Sequence, residues 1–231
     1  MLGLVVYRGG ELPKLPDDAR VCAVTVPPGT SPLAALAAHM AADALRRAPA
    51  RVAVFPPDYA YRAAFARRGV APAPLTPLYR ATAVTLTRAY MAQRGVAPER
   101  ATVAFAAREA SPQLRALIGA LAGEVRYMAL CVPRGGEALA RELRRSLGVA
   151  PRLFRPGEPS GAALTVCFDD GLAAAGETLP LYAPALEASY AGSLPASLLA
   201  GLFAVGALDA AALEATTVTV RAPEDADGSE S

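Results

Sequence analysis

A chain of 231 residues is long enough for one large α/β domain or two small ones, each with its own core. Its hydrophobic fraction of 53% is inflated by alanine, about a quarter of the chain, which adds little bulk and favours tight helix packing. The net charge of +2 and the absence of Trp give no electrostatic or stacking case for nucleic-acid binding.

In chain order, Leu2–Tyr7 and Val21–Val26 read as strands joined by a link containing Gly9-Gly10, Pro13 and Pro16, and their relative direction stays open. The opening MLGLVVYRGG has too short an apolar run and no basic start for a signal peptide, so it is expected to be the first strand. Ser31 caps a helix with Leu33, Leu36, Ala37, Met40 and Ala44 expected inward and His39, Asp43 and Arg46 outward. Arg51–Phe55 is a third strand, and a helix capped by Asp58 runs to Arg67-Arg68-Gly69. The proline-rich stretch Val70–Pro77 reads as an extended linker. It divides an N-terminal α/β part, 1–77, from a second part, 78–222. An apolar helix over 81–93 is expected to be buried between the two parts.

The following segment alternates clearly. Thr102–Ala107 is an apolar strand, and Ser111-Pro112 opens a helix whose Leu114, Leu117, Ile118 and Leu121 share one stripe. Val125–Val132 is the next strand, Gly135-Gly136-Glu137 opens a helix with Leu139, Leu143 and Leu147 inward, and Arg152–Arg155 is extended. Strands separated by short helices require crossovers, hence an α/β fold: a doubly wound, mostly parallel sheet with helices on both faces. Gly-Val-Ala-Pro recurs at 69–72, 95–98 and 148–151 as helix punctuation, Gly taking the left-handed position and Pro forbidding continuation.

Over roughly 55 residues this segment resembles the Rossmann-like, NAD(P)-binding-type domains of dehydrogenases. The resemblance implies the fold and not the cofactor. Where such domains carry G-x-G-x-x-G, this chain has Ala106-Ala107-Arg108-Glu109-Ala110-Ser111, and Glu109 would set a carboxylate beside the phosphates. No cofactor is expected.

Further on, Pro156–Gly161 is a loop, Leu164–Phe168 a strand, and Asp169-Asp170-Gly171 its polar end; Leu172–Pro184 reads as irregular. Ala188–Leu208 carries no charge, but Pro195 and several glycines leave a stretch nearer a buried helix than a membrane span. If not covered internally, Leu194–Leu208 would make a homo-oligomer contact. Thr216–Arg221 is a last strand, suited to an antiparallel edge, and 223–231 reads as a disordered acidic tail.

Cys22, Cys131 and Cys167 lack metal or redox spacing and suit a reducing cytoplasm as inert buried thiols. His39 is the sole histidine, which excludes mechanisms needing two, and no G-x-S-x-G or P-loop occurs. Arg141, Arg144, Arg145, Arg152 and Arg155 read as a solvated face. Ligands of open parallel sheets lie beyond the carboxyl ends of the strands. That rule names a candidate rim: Thr30, Ser31, Asp58, Tyr59, Arg108, Glu109, Ser111, Arg134, Gly135, Gly136, Asp169 and Asp170. Asp169-Asp170 is read as a turn rather than a metal site. The functional expectation is a cytoplasmic, non-catalytic small-anion-binding or protein-interaction module. The alternative is an enzyme acting on a small phosphate- or carboxylate-bearing substrate, with Arg108 or Arg134 as clamp and Asp58, Glu109, Asp169 or Asp170 as acid or base.

Overall fold

A computed structural model describes residues 1–16, 19–172, 176–192 and 194–221, so the expected acidic tail lies outside the described residues. The chain forms two compact units, Met1–Leu78 with Gly192–Ala210, and Tyr79–Ala191 with the described part of Ala211–Ser231.

In the first unit β1 (Leu2–Tyr7) and β2 (Val21–Val26) pair in parallel, which settles their direction. The helix α1 (Pro32–Arg47) follows, capped as expected by Ser31, whose Oγ accepts from the Ala34 N–H at 3.2 Å. Its buried face is not the expected one. Ala34, Ala38, Ala41, Ala42 and Leu45 are buried, whereas Leu33, Leu36 and Met40 are exposed. The face turned to the sheet carries four alanines and Leu45, and Leu45 is accommodated because position 3 of β1 is glycine, where a Cβ would lie 2.8 Å from Leu45 Cδ1.

β3 (Val52–Val54) joins the far side of β1, and α2 (Arg62–Ala66) follows. Asp58 does not cap α2; Tyr61 holds the N-cap position without a side-chain cap. Pro56 and Pro57 delay the helix, and Tyr59 is drawn instead into a cluster with Tyr7, Phe55, Tyr61 and Phe65. The expected linker contains β4 (Ala71–Pro72), parallel to β3, and the start of α3 (Leu75–Ala81), with Pro77 in the first turn, where its missing N–H does no harm. The sheet order is β2-β1-β3-β4.

The chain enters the second unit within α3, and beyond a break at Thr82 the helix expected over 81–93 is found as α4 (Ala83–Gln93). β5 (Thr102–Ala106), α5 (Pro112–Leu121), β6 (Tyr127–Cys131), α6 (Gly136–Leu147) and β7 (Arg152–Leu153) form the alternating segment. The stripe Leu114, Leu117, Ile118 and Leu121 is buried, worth about 1.5–3 kcal/mol per side chain. Leu139 and Leu143 are also buried, but Leu147, in the last turn, remains 45% exposed. Gly148 takes the left-handed position (φ 69°) that ends α6, and Gly69 and Gly95 (φ 75° and 64°) do likewise in the other two Gly-Val-Ala-Pro runs. β8 (Leu164–Cys167) and β9 (Thr178–Pro180) complete a parallel five-stranded sheet of order β7-β6-β5-β8-β9. The stretch read as irregular thus holds a strand.

β10 (Leu186–Tyr190) precedes α7 (Ala196–Ala204), which returns to the first unit. There Leu198 and Leu202 pack with Leu2, Leu4 and Val54, so the apolar surface of Leu194–Leu208 is largely used within that unit. Gly201 permits this; a Cβ on it would lie 2.8 Å from Val54 Cγ2. β11 (Ala215–Val220) is antiparallel, as expected, and its partner is β10, in a two-stranded ribbon of their own. No helix among the described residues is long and apolar enough to cross a membrane.

Candidate functional site

The candidate residues distribute over the carboxyl edges of two sheets. In the first unit Thr30 and Ser31 lie between β2 and α1, and Asp58 and Tyr59 between β3 and α2; the two loops meet where Tyr61 Oη donates to the Ser31 carbonyl at 3.1 Å. Ser31 Oγ is committed to its cap. Tyr59 is buried, and its Oη finds no partner among the described residues. Burial, with Tyr7 and Tyr61 alongside, pushes this phenol up to about 12. Ser31 and Tyr59 are thus a capping and a packing group, while Thr30 and Asp58 are exposed.

The other eight sit on the carboxyl edge of the five-stranded sheet. The connection from β5 runs one way, through α5 to β6, while β8 lies on its other side, so the strand order reverses between β5 and β8. Crevices at such reversals are where open α/β sheets bind ligands. Here the crevice is closed from within. The Arg108 N–H, on the loop leaving β5, donates to Asp169 Oδ2 at 2.7 Å. Arg80 Nη2, from α3, reaches Asp169 Oδ1 at 2.9 Å and the Phe168 carbonyl at 2.6 Å. Arg108 Nη2 bonds the Asp170 carbonyl at 3.1 Å, while Asp170 Oδ1 accepts from the Gly171 N–H at 2.8 Å.

Both oxygens of Asp169 are therefore engaged, and the two neighbouring carboxylates diverge, one toward β5 and one into its own turn. Among the described residues no group of three or more His, Cys, Asp or Glu could hold a metal. Arg80 was not legible as a site residue: it is a single arginine in the last turn of a short helix, and only the fold carries its guanidinium to a strand end 88 residues away. Its Nε is buried without a partner among the described residues.

Between β5 and β6 the rim is zipped by backbone. The Arg134 N–H donates to the Arg108 carbonyl at 3.2 Å and the Ala110 N–H to the Arg134 carbonyl at 3.3 Å, bringing Glu109 and Arg134 into register. Ser111 Oγ caps α5 through the Leu114 N–H. Arg134 and Asp169 thus share one edge through Arg108.

Open space on this edge lies beside β6 and β7. A cavity of about 660 Å³ is floored by Leu130, Val132, Leu153 and Phe154 and faces the N-terminus of α6. Gly135 holds the left-handed conformation there (φ 86°), and Gly136 lies where a Cβ would meet Val132 Cβ at 3.2 Å. The glycine pair thus lets the helix start directly over the strand end. Unlike α1 and α5, α6 has no side-chain cap; its Gly136 N–H donates to the Val132 carbonyl at 3.1 Å, and the positive dipole end of the helix lies beside the cavity. Arg141 and Arg155 line it, as do Glu137 and Glu158; Glu158 Oε2 is held by the Arg155 N–H at 3.0 Å. Cys131 lies below, its thiol raised by burial and by Glu158. A second cavity, of about 580 Å³, lies at the amino ends of β5 and β6, the edge that parallel sheets rarely use. No family model matches the chain, and no curated protein or solved structure matches it either.

Proposed function

We propose that the protein is a non-catalytic binding module on a Rossmann-like scaffold, whose dinucleotide position is filled by its own Asp169 and whose small-anion site is displaced to the N-terminus of α6. The scaffold reading rests on the order β7-β6-β5-β8-β9, in which the first strand of the segment is central and the chain winds outward on both sides. The carrying observation is the engagement of both Asp169 oxygens. A carboxylate that accepts from the Arg108 N–H stands where a ligand phosphate would be expected on this scaffold, and its charge would repel one.

The cavity beside β6 and β7 offers what the crevice lacks: uncapped helix N–H groups, an apolar floor and two arginines. Glu137 and Glu158 on the same wall limit the ligand to a small or singly charged anion, such as a carboxylate or a phosphate monoester. An enzymatic reading is less favoured because Asp169 has no free oxygen for proton transfer. A thermal-shift screen with nucleotides, sugar phosphates and carboxylates tests the proposal. Stabilisation by a small anion, lost in Arg155→Ala, supports it. Stabilisation by a dinucleotide overturns it, and silence across the panel leaves the interaction module as the better reading.

A further inference from the structure

β2 forms one edge of the first sheet, and it differs from the other edge strands of the two parallel sheets. β4 and β7 are two residues long, one containing Pro72 and the other Arg152, and β9 is three residues long and ends in Pro180. Short strands, prolines and charges of this kind keep a sheet edge from pairing with another chain. β2 has none of them: its six residues, Val21–Val26, include no proline and no charge, and its register with β1 runs without a bulge. We propose that two copies of the chain join edge to edge through β2, antiparallel about a two-fold axis at Ala23, so that their first sheets become one continuous sheet.

The backbone selects the occupant. The Leu2 N–H donates to the Arg20 carbonyl at 2.9 Å and the Arg8 N–H to the Val26 carbonyl at 2.8 Å, so Arg20, Cys22, Val24 and Val26 turn their main-chain groups toward β1. Alternation turns those of Val21, Ala23 and Thr25 outward, where no hydrogen bond reaches them among the described residues. Only an extended strand meets such a row of donors and acceptors, and β2 of a second copy is such a strand. With Ala23 opposite its own copy, Val21 faces the other copy's Thr25, and every outward N–H and C=O of these three residues is paired. A shift of register in either direction sets Thr25 or Val21 opposite a residue outside the strand. The β-branched Val21 and Thr25 also make a favourable cross-strand pair. Antiparallel pairing keeps Arg20, exposed at the start of each β2, at opposite ends of the contact, whereas parallel pairing would set the two side by side. The helix above leaves room: His39 and Asp43 of α1 turn to Arg68, just beyond α2, so the flank nearer the free edge carries the small Ala37 and Ala44. One strand therefore complements itself, as an isologous contact requires.

The test is sedimentation of the full chain across a hundredfold concentration range, with Ala23→Lys as the disrupting variant and Ala23→Cys as a cross-link probe. The wild type is expected to rise from 23.7 kDa toward twice that mass. Ala23→Lys, at an exposed position, sets two charges face to face and should stay monomeric with an unchanged unfolding temperature. Hydrogen-bonded antiparallel residues have Cα atoms about 5.5 Å apart, within the span of a disulfide, so mild oxidation of the Ala23→Cys chain should give a covalent dimer. Thr25→Cys, equally exposed but opposite the other copy's Val21, should give none. A wild-type chain that stays monomeric throughout, a dimer that survives Ala23→Lys, or a dimer that Ala23→Cys fails to cross-link would overturn the proposal.

Discussion

Arg80 and Asp169, 89 positions apart, form an ion pair of 2.9 Å at the mouth of the crevice between β5 and β8. The side chains are 35% and 23% exposed, so the pair is partly wet and contributes modestly by itself. Asp169 also satisfies the Arg108 N–H, however, and removing it strands that donor and leaves Arg80 Nη2 with the Phe168 carbonyl. Asp169→Ala is expected to lower the unfolding free energy by about 1–2 kcal/mol, measured by urea denaturation. Asp169→Asn, which keeps an acceptor, should lose less. Sulfate should then stabilise the alanine variant more than the wild type, because the vacated Arg108 N–H again faces the crevice.

Gly201→Val tests the approach of α7 to the first sheet. A Cβ at this position would lie 2.8 Å from Val54 Cγ2 and 2.9 Å from Leu2 Cδ1. Relief requires moving a branched side chain within a packed core, and overpacking of this kind costs about 1–3 kcal/mol. The small gain in helix propensity over glycine does not offset it. Equilibrium denaturation of the variant is the measurement.

Alkaline pH should weaken the fold through buried tyrosines. Tyr79 and Tyr190 are each pushed up to about 12, chiefly by burial; Tyr79 Oη donates to the Leu186 carbonyl and Tyr190 Oη bonds the Thr82 hydroxyl. Their folded values exceed the unfolded value of 10.0, so the stabilisation is complete below pH 10 and is lost as pH rises toward 12. Urea midpoints at pH 9, 10 and 11 should fall progressively. Tyr79→Phe should flatten that fall while lowering the starting stability through its lost hydrogen bond.

Acid acts through Asp43. Its bond to Arg68 Nε, 2.5 Å long, holds this carboxyl below the ordinary value of 3.8. The contribution is therefore present above that value and is lost as pH falls through the lower folded value. Asp43→Asn should remove this component of the acid transition, read from denaturation between pH 2 and pH 6.

The alternating segment was legible because its signals agree: Ser111-Pro112 starts α5, the aliphatic stripe is the buried face, and glycines end the helices. On α1 the same reasoning chose the wrong face. A helix rich in alanine can approach a sheet more closely on its small side, and Leu33, Leu36 and Met40 then carry no information about the core. β9 is three residues long, too short for a local pattern, whereas β10 alternates apolar and polar from Leu186 to Tyr190, a signal that sequence reasoning missed. At the site, the single rim expected of twelve loop residues divides between the edges of two sheets, with Thr30, Ser31, Asp58 and Tyr59 on the first and the other eight on the second. What they do there depends on Arg80, whose position is a product of tertiary structure alone.

If the crevice between β5 and β8 is self-occupied and anions go to the N-terminus of α6, backbone amide NMR during titration with inorganic phosphate reads both places at once. Shifts are expected at Gly136, Glu137 and Ala138, with Arg108 unmoved. Shifts at Arg108 and Ala110 with α6 silent, or no response anywhere at tens of millimolar phosphate, would contradict this assignment.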